Sequence, residues 1–256
     1  MKRLLIIITT LAMIIGLCSC DSALNNTNGS NETEQSYDSA LNNNNDSDET
    51  EQSYMTTHCS KENVEDFFAI VGPLQGDGLL SGFVLDKDKC FNVTPQQVAL
   101  ETNYKIFKFS DSCASFVMID NEVYTLCTWF GGYGFVNAVP CDFDNDGNKD
   151  LLVASSWGSG LHRSIISVFH STTKESTIIY DTSTTDNPQV DLLVAISSPS
   201  FSSEDPSTLP IYYVVYSAKI KPNDNNFADL SYVATGIVGS ISADNGEIAF
   251  IPTNNS

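Results

Sequence analysis

The chain has 256 residues and a formal net charge of −20, with 32 Asp and Glu against 12 Lys and Arg. A surface of that sign repels nucleic acid and anionic lipid, which excludes both as partners and leaves divalent cations, glycans and other proteins. Its length beyond a polar N-terminal stretch is enough to bury one core.

The first segment carries Lys2 and Arg3, then a 15-residue apolar run over 4–18, and closes on Leu17-Cys18-Ser19-Cys20. Charge, apolar run and small residues in that order make a secretory signal. The run is shorter than the roughly 20 residues a spanning helix needs. Leu17-Cys18-Ser19-Cys20 resembles the lipobox of bacterial lipoproteins. The resemblance implies removal of residues 1–19 and acylation of Cys20, with the protein anchored on the extracytoplasmic face of a cell membrane. Several acyl chains suffice for stable anchoring. Loss of Lys2 and Arg3 deepens the net charge to −22.

Residues 21–54 are two near-identical copies of a 17-residue unit, Asp21 to Tyr37 and Asp38 to Tyr54, with eight acids and no Lys or Arg. Each copy offers one Ala, one Leu and one Tyr, too little apolar surface to stack as a structural repeat. The segment 20–54 therefore reads as a disordered, self-repelling tether.

From residue 55 to 256 the composition turns to β-branched and aromatic residues broken by Gly, Pro, Asn and Asp. Strand-like runs recur over 105–109, 115–119, 122–126, 151–154, 164–169, 176–180, 190–196, 211–218, 231–238 and 247–251. Asp120-Asn121 and Asn245-Gly246 have the turn chemistry of tight hairpins, so neighbouring strands are expected to be antiparallel. Helix is expected only over 63–71 and after Thr94-Pro95-Gln96-Gln97, which has the form of a capping box. The predicted fold is mainly β: an antiparallel β domain, propeller-like with few blades or a β-sandwich, with one or two short helices.

Five cysteines remain once Cys18 leaves with the signal and Cys20 is acylated: Cys59, Cys90, Cys113, Cys127 and Cys141. An odd number leaves one unpaired within the chain, and without a C-x-x-C pair a zinc site is not expected.

The segment richest in chemistry is Asp142-Phe143-Asp144-Asn145-Asp146-Gly147-Asn148-Lys149-Asp150, which fits the calcium-loop pattern D-x-D-x-D-G-x-x-D. Alternate acids on a tight loop can aim their oxygens at one centre, and Gly147 permits the sharp return. Four carboxylates at this spacing repel one another unless a cation lies between them. A flexible loop of many oxygens suits calcium, whereas magnesium prefers octahedral geometry and keeps its waters. Counted from Asp142, position 12 is Val153, where an EF-hand requires Glu, so this is not an EF-hand.

Phe130-Gly131-Gly132-Tyr133-Gly134, then the acidic loop, then Leu151-Leu152-Val153 resembles one FG-GAP or VCBS-type repeat. That resemblance covers about residues 130–169. It implies a strand–loop–strand unit binding calcium through the side chains of Asp142, Asp144, Asp146 and Asp150 and the backbone of Asn148. No second D-x-D-x-D-G occurs, and Asp186 to Leu193 is at best a degenerate echo, so a seven-bladed propeller is not expected.

Just downstream, Ser155 to Ser164 combines Trp157, His162 and Arg163 around a glycine turn. The segment also resembles one in uncharacterised exported bacterial proteins, which implies no activity. Trp157, His162 and Arg163 are the candidate ligand contacts. The competing expectation has Trp157 filling core and Arg163 paired with an acid. Catalysis has little support, since Ser156 and Ser159 lie near His162 without a G-x-S-x-G elbow. The expected function is a cell-envelope lipoprotein that displays a calcium-stabilised β domain for binding or adhesion to a glycan or protein. Two alternatives are a hydrolase of envelope or extracellular polymer using paired carboxylates such as Asp142 and Asp150, and a structural envelope protein with a protein partner only.

Overall fold

A computed structural model describes residues 55–74, 85–111, 114–127, 131–186, 188–197, 212–244 and 247–253. The signal over 1–19 with Cys20, the tether, Cys113, Phe130 and the Asn245-Gly246 turn lie outside the described residues. Consecutive strands pair into three antiparallel sheets, and none closes into a barrel. The first contains β2 (Cys90–Asn92), β3 (Lys105–Phe109), β4 (Ser115–Ile119) and β5 (Glu122–Cys127), in that spatial order. The second contains β6 (Gly134–Cys141), β7 (Asp150–Trp157), β8 (Arg163–Phe169) and β9 (Ser176–Asp181), again in order. The third runs β10 (Asp191–Ser197), β11 (Tyr212–Asn223), β12 (Asn226–Asp244) and β13 (Glu247–Pro252). The short β1 (Met55–Thr56) joins it by pairing with β12.

The sheets pack through three clusters whose membership follows the period-2 alternation of strands. Phe107, Phe109, Phe116 and Met118 face helix α1 (Val64–Val71). Ile106, Val117 and Ile119, from the same two strands, face Leu151 and Val153 of the second sheet. Leu152 and Ala154 point the other way, onto Leu192, Val194, Val215 and Ile241 of the third. Sheets one and two are thus covered on both faces, which is why β4 is buried at every position and β7 at all but its last. Strand β13, by contrast, alternates exposed and half-buried positions along its first four residues.

Helix α1 buries Val64, Phe67 and Val71, one stripe at helical spacing, with Glu65 and Asp66 favourably placed in its first turn. Phe67 is fully buried and stacks on Phe107 at 4.4 Å between ring centroids. The second helix, α2 (Gln96–Glu101), begins without the expected capping box. The Thr94 hydroxyl instead donates to Asn92 Oδ1 at 2.6 Å and accepts the Ile106 N–H at 2.8 Å, so tertiary contacts have claimed the capping group.

Asp120 and Asn121 adopt φ of 49° and 66°, the left-handed pair of a type I′ hairpin, as expected. Asp224 and Asn225 form a second such turn between β11 and β12. Strand β12 extends over 226–244, well beyond the expected 231–238. Strand β6 escapes pattern recognition because Gly134, Asn137 and Pro140 interrupt it. It is a sheet edge, where the missing N–H of Pro140 is tolerated. Two polar side chains tie the layers together. Asn137 donates to the Val194 carbonyl at 2.7 Å and accepts the Val194 N–H at 3.1 Å, bridging β6 to β10. Lys108, 1 % exposed, donates from Nζ to the Phe135 carbonyl at 2.7 Å, and burying that ammonium requires such a partner.

Candidate metal centre

The turn between β6 and β7 carries the acidic loop at the edge of the second sheet. Its base is anchored by Phe143, a buried ring packed edge-on against Tyr213 at 4.9 Å. Above that anchor the chain needs two left-handed residues, and Asn145 (φ 56°) and Gly147 (φ 84°) supply them. The alternation then places Asp142, Asp144 and Asp146 on one side, each offering a carboxylate oxygen within 4.8 Å of the others.

Hydrogen bonds shape this triad from within. Asp144 Oδ1 accepts the Asp146 N–H at 3.3 Å, and Asp146 Oδ1 accepts the Asn148 N–H at 2.7 Å, two Asx turns in succession. Asp146 Oδ2 accepts the Asn148 side-chain amide at 3.0 Å and the Thr172 hydroxyl at 2.9 Å. The Asn148 amide, its backbone N–H and then Thr172 hold the Asp146 carboxyl below its usual range.

Asp150 is placed differently. It opens β7 and is 2 % exposed, and its Oδ1 accepts the Ser171 N–H at 2.7 Å. Register explains that contact: Leu151 pairs with Phe169, so the turn after β8 lies beside the start of β7. Asp150 Oδ2 lies 3.6 Å from His170 Nδ1 and has no hydrogen-bond partner among the described residues. Asp142 Oδ1 is also buried without one. Of the five expected ligands, the structure therefore groups Asp142, Asp144 and Asp146. Asp150 is not part of that trio. The donor set is all oxygen, with an orphaned buried carboxylate oxygen at one of its members, Asp142, and it fits a hard divalent cation.

Residues distant in sequence support the loop. The Tyr104 hydroxyl donates to the Lys149 carbonyl, and Lys149 approaches Glu101 of α2 at 3.8 Å. An open polar groove of about 490 Å³ runs between the end of α2 and the loop, lined by Leu100, Glu101, Thr102, Asn103, Asn148 and Lys149. Nothing local in the sequence announces Tyr104, His170, Ser171 or Thr172, which reach the loop through strand register and sheet packing.

The second group of expected site residues gathers at the far end of the second sheet. Trp157 ends β7, half-buried, and Arg163 opposite it in the ladder lies over its ring, 5.2 Å from the guanidinium carbon to the centroid. His162 packs edge-on against Tyr133 at 4.5 Å. The turn is locked by glycines: a Cβ on Gly132 (φ 68°) would lie 2.5 Å from the Trp157 backbone. Near His162, Asp191 begins β10 with a buried Oδ1 that has no hydrogen-bond partner among the described residues. Burial pushes its carboxyl from 3.8 up to about 6, against a smaller opposing pull from His162.

Cys59, Cys90 and Cys141 are free thiols. Burial raises Cys59 to about 11 and Cys90 to about 12, and raises Cys141 further, so none of these three has the thiolate character of a nucleophile or soft-metal ligand. Compared with protein-family models, with curated proteins and with solved structures, the chain finds no match. What stands is an antiparallel, mainly-β protein that carries a surface triad of aspartates.

Proposed function

We propose that the loop Asp142–Asp150 is a calcium site that stiffens the β domain, and that this domain is displayed from a cell envelope by lipid on Cys20 to bind a glycan or a protein. The carrying observation is the convergence of Asp142, Asp144 and Asp146 oxygens within 4.8 Å of one another, with Asp142 Oδ1 buried and lacking a hydrogen bond. Like charges so close repel, and a bound cation reverses the sign of that interaction. Calcium fits better than magnesium because the donors sit on a flexible turn and include no preformed octahedron. The likeness of the segment to an FG-GAP or VCBS-type repeat supports the same reading. So does the double left-handed turn that aims the acids to one side.

The lipobox-like Leu17-Cys18-Ser19-Cys20 and the acidic tether support display at a membrane surface. An open polar groove beside the loop supports a binding role over catalysis. Thermal unfolding of the whole chain in calcium and in chelator tests the metal reading, since a ligand bound only by the native state raises stability. The expected result is a rise of several degrees in calcium that disappears in Asp144→Ala. Identical unfolding in both buffers returns the loop to an ordinary surface turn.

A further inference from the structure

The Asp146 carboxylate is oriented in part by a residue from outside the acidic loop. A carboxylate offers about four acceptor positions, two on each oxygen. Three of those on Asp146 are filled: one on Oδ1 by the Asn148 N–H, and two on Oδ2 by the Asn148 amide and the Thr172 hydroxyl. The remaining position belongs to Oδ1. Thr172 reaches Asp146 from 26 residues away, on the turn between β8 and β9, and it is exposed. That turn is fastened to the start of β7 by the Ser171 N–H on Asp150 and fixed internally by His170 N–H to Glu175 and Lys174 N–H to His170 carbonyls, each at 2.9 Å. A rigid hairpin therefore holds one oxygen of a flexible loop.

We propose that Thr172 is a positioning residue for the metal loop: its hydroxyl pins Asp146 Oδ2 so that Oδ1 is presented to the cation as a single, preoriented ligand. This inference rests on the calcium reading above. Metal affinity is then set partly by a residue outside the acidic motif, because a ligand already oriented loses less freedom on binding. Outer partners of this kind are worth on the order of tenfold or more in metal affinity.

The test is calorimetric titration of calcium into the whole chain, comparing the native sequence with Thr172→Val and Thr172→Ser, alongside the unfolding temperature of each in chelator. Thr172→Val keeps the shape and loses the hydroxyl, and Thr172→Ser keeps the hydroxyl. The expected outcome is affinity weakened about tenfold in Thr172→Val, restored in Thr172→Ser, with matching unfolding temperatures in chelator. Equal or tighter binding by Thr172→Val, or failure of Thr172→Ser to restore it, overturns the positioning role while leaving the metal site intact. No binding by the native chain removes the metal reading and this inference with it.

Discussion

Replacing Asp191 by Asn is expected to stabilise the protein at neutral pH, and the reason lies in one half-buried carboxyl. Its Oδ1 has no hydrogen-bond partner among the described residues, and burial raises its pKa from 3.8 to about 6. The folded state therefore holds a proton that the unfolded chain has already released between those two values. Bound protons are then fewer in the unfolded state, so stability falls as pH rises through that interval and stays at the lower level above it. The displacement corresponds to at most about 3 kcal/mol. Solvent reaches part of the residue, which brings the expectation to about 1–2 kcal/mol. Urea unfolding of both proteins at pH 4 and pH 7.5 isolates the contribution, since the two differ only at this carboxyl and its coupling to His162. Asp191→Asn should gain relative to the native chain on going from the lower to the higher pH. A difference between the two proteins that does not change with pH would refute the reasoning.

Two further substitutions probe the frame that carries the loop. Phe67→Ala removes a fully buried ring that stacks on Phe107 and touches Phe109 and Phe116, and is expected to cost about 3–5 kcal/mol in denaturant unfolding. A loss below about 1 kcal/mol would show that α1 does not cover the first sheet in solution. Gly132→Ala meets both a positive φ and a backbone only 2.5 Å from the new carbon. It should shift the Trp157 to Arg163 turn and lower the unfolding temperature, while Gly147→Ala, which meets nothing within 4 Å, suffers only the strain of its φ; equal effects of the two would contradict the packing at Gly132.

Much of the fold was legible because its strands obey simple periodicities. The runs at 105–109 and 115–119 coincide with β3 and β4, and the Asp120-Asn121 turn takes the left-handed conformations that its residues favour. What escaped has physical causes. The strand β6 contains Gly, Asn and Pro, residues depleted from strands, and it tolerates them because it is an edge whose Asn137 is spent on the neighbouring sheet. The capping box failed because a side chain can serve only so many partners, and Thr94 was taken by Asn92 and Ile106. Local propensity proposes, and contacts made across the sheets decide.

The site divides along the same line. Asp142, Asp144 and Asp146 could be read directly, since their spacing of two and the left-handed residues between and after them already force the side chains together. Asp150 belongs to the same motif but obeys a different constraint. As the first residue of β7 its side chain is directed by the ladder, and Leu151 opposite Phe169 commits it to the Ser171 N–H and the neighbourhood of His170. A motif written as a string treats its four acids as equivalent, whereas the sheet separates three that can move with the loop from one that cannot. The buried Asp150 instead fastens the start of β7 to the turn after β8 through the Ser171 N–H. Thr172 adds a tie to the neighbouring hairpin. A cation at the triad would accordingly be felt as stiffness along β7 and β8, and not merely as relief of surface repulsion.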